Sequence, residues 1–113
     1  MKACTRFLAL AYTLLLVGCV ALQAPQSFDE RLAYGYAGVA AARSTATAML
    51  ERGRLTVAEA RDAQGMADTT RTALDVARGS YKAGDISTAT GQLDLALKAL
   101  VALEGFLKAK EQP

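Results

Sequence analysis

Residues 56–85, TVAEARDAQGMADTTRTALDVARGSYKAGD, contain one complete helix signal and the beginning of another. Small or apolar side chains recur every three or four residues, which is the spacing of one face of an α-helix. Thr56 and Glu59 have the spacing of a capping box, so the helix is predicted to begin there. Gly84 can adopt a positive φ, and Asp85 can cap a following helix. The predicted face consists of Ala60, Ala63, Ala67, Thr70, Leu74, Ala77 and Tyr81.

The same periodicity continues on both sides of this stretch. It predicts helices over about 28–52, 56–82 and 86–109, with Ser27 as the first N-cap and Gly53 as the first terminator. Because both connections are short, neighbouring helices should run antiparallel. We therefore predict an all-α fold, an antiparallel three-helix bundle over residues 28–110. The predicted buried face of the first helix consists of Phe28, Leu32, Gly35, Val39, Ala42, Ala46 and Met49. That of the third helix consists of Ile86, Ala89, Leu93, Ala96, Leu100, Leu103 and Leu107, and Leu97 and Val101 widen it.

Composition limits the class of protein. A chain of 113 residues accommodates one small domain, and 52% hydrophobic with 21% charged residues fits neither a disordered nor a polytopic membrane protein. Lys2 and Arg6 lie in a segment that we expect to be removed, which leaves 11 basic against 11 acidic residues. A neutral body gives no electrostatic reason to bind nucleic acid.

The N-terminal segment has the organisation of a secretory signal. After the two basic residues, residues 7–17 form an apolar run of eleven residues, whereas a bilayer span needs about twenty. Leu16-Val17-Gly18-Cys19 follows and resembles the lipobox of bacterial lipoproteins. The alternative interpretation is an ordinary signal peptide followed by an accidental cysteine.

The lipobox resemblance implies cleavage between Gly18 and Cys19 and a covalent lipid on Cys19. Residues 1–18 are then the signal-peptide helix, and residues 19–27 are the lipidated N-terminus and a linker that reaches about 20 Å from Ala21 to Ser27. The resemblance also implies that Val20, where an aspartate would retain the protein at the inner membrane, favours the outer membrane and the periplasm. Cys4 is lost on cleavage, so no disulfide is expected.

A second resemblance covers about residues 73–101, which look like a single tetratricopeptide repeat. The usual first aromatic residue is missing, and Val101 stands where a proline often ends the repeat. Because such repeats stabilise one another only in groups of about three, this one implies a packed hairpin rather than a peptide-binding groove. The matching positions are Ala77, the turn Tyr81-Lys82-Ala83-Gly84-Asp85, Ala89, Leu93 and Ala96.

Motifs for catalysis are missing from the sequence. It contains no histidine, no Gly-x-Ser-x-Gly, no phosphate-binding loop and no dinucleotide fingerprint, so we expect no enzyme, no metal site and no cofactor other than the lipid. The sequence therefore predicts a membrane-anchored helical lipoprotein with a structural or protein-interaction role. The alternative is a small effector of a mobile element, such as an inhibitor, an exclusion factor or a lysis accessory lipoprotein.

Two surfaces are candidates for contacts outside the bundle. Leu95, Ala99, Ala102 and Phe106 follow one another at four-three-four spacing, nearly opposite the main face of the third helix. We expect this strip to join a second copy or a partner helix, unless the bundle buries it or it is ordinary surface. Tyr34 lies off the apolar face of the first helix and is a candidate for contact with lipid headgroups.

Overall fold

The computed structural model describes residues 27–112, which form three α-helices. Helix α1 spans Phe28–Glu51, α2 spans Val57–Lys82 and α3 spans Ile86–Glu111. The predicted helices are therefore confirmed to within two residues at each end, and this part of the chain has no strand. The predicted signal-peptide helix and all of the predicted linker except Ser27 lie outside the described residues.

Side-chain pairs along the bundle establish the helix directions. At the start of α1, the Phe28 ring stacks on Tyr81 near the end of α2, with centroids 4.2 Å apart. Farther along α1, Arg43 Nη1 donates to Gln64 Oε1 at 3.0 Å, nearer the start of α2. The pairs step in opposite directions along the two helices, so α1 and α2 are antiparallel.

Helix α3 returns in the direction of α1. Its Lys110 forms an ion pair with Glu59 at the start of α2, and its Asp94 forms one with Arg31 near the start of α1. The prediction of an up-down-up bundle is thus confirmed for the described residues.

Both turns end a helix in the same way. Gly53 and Gly84 have φ of 74° and 84°, values that a residue with a β-carbon rarely adopts. Arg54 N–H then donates to the Met49 carbonyl at 2.8 Å, and Asp85 N–H donates to the Ser80 carbonyl at 2.9 Å. These are the long hydrogen bonds of the Schellman motif, which satisfy carbonyls left open at a helix end. Each turn is therefore stabilised by hydrogen bonds within its own few residues, and the N-cap of the next helix follows the glycine within three residues.

The core is built from large side chains set among alanines. Leu93, Leu100 and Leu103 of α3 pack with Leu74 of α2 and Met49 of α1, and each is almost wholly buried. The buried face of α2 is otherwise mainly alanine, and the buried face of α1 contributes Gly35, Ala42 and Ala46, so the helices can approach closely. Leu55, in the first turn, is also buried and closes one end of the core.

Three predicted face positions are wrong. Tyr81 and Ile86 are exposed because they lie at the end of the bundle, next to the α2–α3 turn, where no further helical turn covers them. Val101 is 68% exposed, since it lies about 120° around α3 from the centre of the buried face at 100° per residue. Leu97, nearer to that centre, is half-buried.

Candidate functional surfaces

The predicted lipidation site cannot be placed on the bundle. Leu16, Val17, Gly18 and Cys19 lie outside the described residues, so cleavage and lipidation stay predictions. What the structure does place is the beginning of the helical body. Ser27 caps α1 by accepting a hydrogen bond from Glu30 N–H at 3.1 Å. Only seven residues separate Cys19 from this cap.

The predicted partner strip on α3 divides into two parts. Leu95 is 59% exposed and Ala102 is also exposed, so both are open to solvent. Ala99 and Phe106 are half-buried, and Phe106 packs against the core cluster. The strip therefore offers one large side chain, Leu95, rather than a pair of exposed anchors, and its role in binding stays a prediction.

Phe106 lies beside Lys110, which contacts the start of α2. The Lys110 ammonium lies 5.6 Å from the centroid of the Phe106 ring and forms an ion pair with Glu59. Hydrogen bonds from Lys110 and from Thr56 lower the pKa of Glu59 to about 2. The arrangement joins the start of α2 to the end of α3, which indicates a structural role for this group of residues.

Shallow grooves run between α1 and α3. One has a volume of about 400 Å³, and its lining mixes small and charged side chains, including Gly38, Thr45, Glu104 and Lys108. A second, of similar volume, lies beside the Arg31–Asp94 ion pair and is lined by Leu97 and Val101. Both are open to solvent, and neither encloses a set of polar groups directed at one point.

The α1–α2 side carries polar contacts. Arg43 reaches both Gln64 and Asp68, and the Tyr36 hydroxyl donates to an Asp75 carboxylate oxygen. Burial of the Tyr36 side chain, together with this hydrogen bond, raises its pKa. These contacts fix the register of the two helices.

The bundle base, which we define as Phe28, Tyr81 and Ile86, is the end of the described body where α1 begins and the α2–α3 turn lies. Phe28 is half-buried beneath the stacked ring of Tyr81, while Tyr81 and Ile86 are exposed. The helical periodicity of the sequence places all three on buried faces, and Phe28 does pack against the core, whereas Tyr81 and Ile86 are exposed. Phe28 and Ile86 are the first residues of their helices, and Tyr81 is next to the last residue of α2. These positions in the sequence indicate that the three side chains lie at one end of the bundle.

The described residues show neither a metal site nor a membrane-spanning helix. No group of three or more acidic, cysteine or histidine side chains within residues 27–112 is arranged to hold a metal ion. None of the three helices is long and apolar enough to cross a bilayer. Tyr34, the predicted headgroup contact, is exposed on α1.

Comparison with known proteins yields no relative from which to infer a function. No known protein family matches the chain, and no curated protein or solved structure shows significant similarity to it. A functional proposal therefore rests on the residues themselves.

Proposed function

We propose that this protein is a lipid-anchored envelope lipoprotein whose three-helix domain presents a helical surface to a protein partner. The observation that carries the proposal is Leu16-Val17-Gly18-Cys19, placed directly after a short apolar segment with a basic start. This pattern supports cleavage before Cys19 and lipidation of its thiol. Val20, in the position where an aspartate would retain such a protein at the inner membrane, supports the outer membrane as its destination.

The described body is consistent with a tethered binding module. It begins at Ser27, so the linker is short, and it is independently capped and packed around its own core. Leu95 adds an exposed branched side chain on α3, on the side of the helix away from the core. An exposed apolar side chain on the surface of a helix suits docking of a second helix, which is the non-catalytic role we propose.

The chain offers a matched test of the anchor because it has two cysteines. Cys19→Ser should abolish incorporation of an alkyne-labelled fatty acid and leave the precursor uncleaved. Cys4→Ser should keep full labelling and cleavage, since Cys4 lies in the segment to be removed. Labelling that survives Cys19→Ser, or cleavage at another site, would exclude the lipoprotein assignment.

Binding by α3 needs its own measurement. A photo-crosslinking amino acid at residue 95 should capture a partner in intact envelopes, and the same amino acid at residue 76 should not. Val76 is a suitable control because it is also exposed but lies on α2. Equal capture at both positions, or none at residue 95, would contradict a docking role for this face.

A further inference from the structure

The bundle base groups apolar side chains at one end of the domain, whereas other exposed apolar side chains, such as Leu95 and Val101, lie along its length. The Phe28 and Tyr81 rings are stacked nearly parallel, with an interplanar angle of 7°, and the pair is open on its outer side because Tyr81 is 40% exposed. Ile86, at the start of α3 across the turn, is 52% exposed. An aromatic pair and a branched aliphatic residue thus lie together at one tip.

The same tip is where the chain enters the domain. Ser27 precedes Phe28 directly, and only seven residues lie between Cys19 and Ser27. The eight Cα–Cα steps from Cys19 to Ser27 reach about 26–29 Å at most, which is shorter than α1, whose 24 residues extend about 36 Å at 1.5 Å per residue. If Cys19 carries a lipid, the tether holds the bundle base nearer to the bilayer than the opposite end.

Charge near the base selects the type of contact. The ionic side chains within about one helical turn of this end are Asp29, Glu30 and Arg31 in α1, Arg78 and Lys82 in α2, and Asp85. The Asp85 carboxylate accepts a hydrogen bond from Thr88 N–H, and hydrogen bonds from Thr88 lower its pKa. Three carboxylates against three cationic side chains give no net attraction to anionic lipid, so contact depends on apolar and aromatic burial.

Tyrosine and isoleucine suit this location for different reasons. A tyrosine ring combines an apolar body with a polar hydroxyl, and such rings are enriched at the level of the headgroups. Isoleucine gains from leaving water in proportion to its apolar area. The area is small, but a short tether raises the local concentration to the mM range, so weak insertion is sufficient.

We propose that the bundle base, formed by Phe28, Tyr81 and Ile86, rests in the headgroup layer of the membrane that holds the lipid anchor. The three helices then extend away from the bilayer, and the opposite end, with Leu55 and Val57, faces the aqueous phase. This inference rests on the proposed lipidation of Cys19. It adds a second, non-covalent membrane contact, which sets the orientation of the domain.

The sequence contains no tryptophan, so a single one introduced by substitution reports on its own position. Ile86→Trp and Val57→Trp form a matched pair. Each residue directly follows an N-cap, Asp85 or Thr56, and the two are 52% and 60% exposed. The processed protein, which begins at the lipidated Cys19, is purified and reconstituted into phosphatidylcholine–phosphatidylethanolamine vesicles containing a headgroup-region quencher lipid. Circular dichroism confirms that both variants keep the helical content.

Tryptophan at residue 86 should emit at a shorter wavelength on vesicles than in detergent-free buffer. The quencher lipid should also reduce the fluorescence of tryptophan at residue 86 at least about twofold more than that of tryptophan at residue 57. The reason is that interfacial insertion reaches about 5–10 Å into the headgroup boundary. Flotation of the vesicles reports on the anchor separately. Floating protein with equal quenching at both positions would overturn the orientation and leave the anchor intact.

Two other outcomes would also overturn the proposal. Protein that carries no acyl chain and does not float would remove the anchor and this inference together. A blue shift at residue 86 that occurs without vesicles and grows with protein concentration would show that a second copy, rather than lipid, covers the bundle base.

Discussion

Gly35 of α1 lies so close to Leu74 of α2 that a β-carbon at residue 35 would come within 2.6 Å of Leu74 Cδ2. Leu74 is fully buried, so its side chain has little room to move away. Gly38 has the same relationship with Leu100 of α3, at still closer range. Helix α1 therefore contacts each of its two neighbours at a glycine, against which a leucine side chain of the neighbouring helix packs.

This relationship predicts opposite effects for two glycine-to-alanine substitutions. Gly35→Ala should lower the free energy of unfolding by about 1–3 kcal/mol because the added methyl group overpacks the core. Gly65→Ala should raise it by about 0.5–1 kcal/mol, since a β-carbon there meets open space and alanine favours the helix. Urea unfolding followed by circular dichroism measures both. Stabilisation by Gly35→Ala would show that Leu74 moves aside at no cost.

Thr70 is a buried hydroxyl in the core-facing side of α2. Its Oγ1 donates to the Met66 carbonyl at 2.8 Å, one turn earlier in the same helix. Thr70→Val keeps the branched shape, so we expect stability within about 1 kcal/mol of the wild type, or above it. Thr70→Ala should lose about 1 kcal/mol or more, because it leaves a cavity. Thermal unfolding distinguishes the two, and a larger loss for valine would indicate that the hydroxyl itself is required.

The Glu59 carboxylate should make stability depend on pH in the acid range. Its pKa is about 2 in the folded protein, below the ordinary value of 4.5, so the ionised form is favoured by folding. The contribution is present above about pH 4.5 and is lost as the pH falls towards 2. Lys110→Gln removes the largest cause of the shift and should raise the pKa of Glu59 in an NMR titration. Lys108→Gln, at an exposed position two residues away, is the control and should leave the titration unchanged.

Tyr36 and Asp75 should stabilise the α1–α2 contact through their hydrogen bond. Tyr36→Phe is expected to lower the free energy of unfolding by about 1 kcal/mol, since it removes the donor and keeps the ring. Tyr34→Phe, on the exposed side of α1, should have no measurable effect. Because the pKa of Tyr36 is raised above 10, its protonated form is favoured by folding. The contribution of Tyr36 to the free energy of unfolding is complete below about pH 10 and decreases as the pH rises further. Tyr36→Phe should abolish this decrease.

The helix N-cap at Thr56 is open to a direct test. Thr56 Oγ1 accepts from Glu59 N–H at 3.1 Å, and Glu59 Oε1 accepts from Thr56 N–H at 3.0 Å. Thr56→Ala should cost about 1 kcal/mol, because it leaves the Glu59 N–H without its acceptor. Thr56→Ser should restore most of the loss. If alanine and serine are equally stable in denaturant titration, the capping hydrogen bond contributes nothing measurable.

Local signals along the chain are sufficient to predict the three helices and the residues where they begin and end. Spacing of three and four residues selects a helical face, and both the capping box at Thr56 and the glycine at residue 84 act within a few residues of chain. Such local signals do not depend on the rest of the fold. The buried positions Ala63, Leu74, Leu93 and Leu100 were predicted for the same reason, and each is confirmed.

The rotation and shift of the helices against one another depend on contacts between residues far apart in the chain. The sequence does not indicate that Gly35 receives Leu74, that Arg43 reaches Asp68, or that Lys110 pairs with Glu59. Each contact joins residues from different helices, so it depends on the helix crossing and not on local spacing. The same geometry leaves Tyr81 and Ile86 exposed. The apolar pattern of a helix continues to its last residue, but the neighbouring helices do not extend far enough to cover that residue.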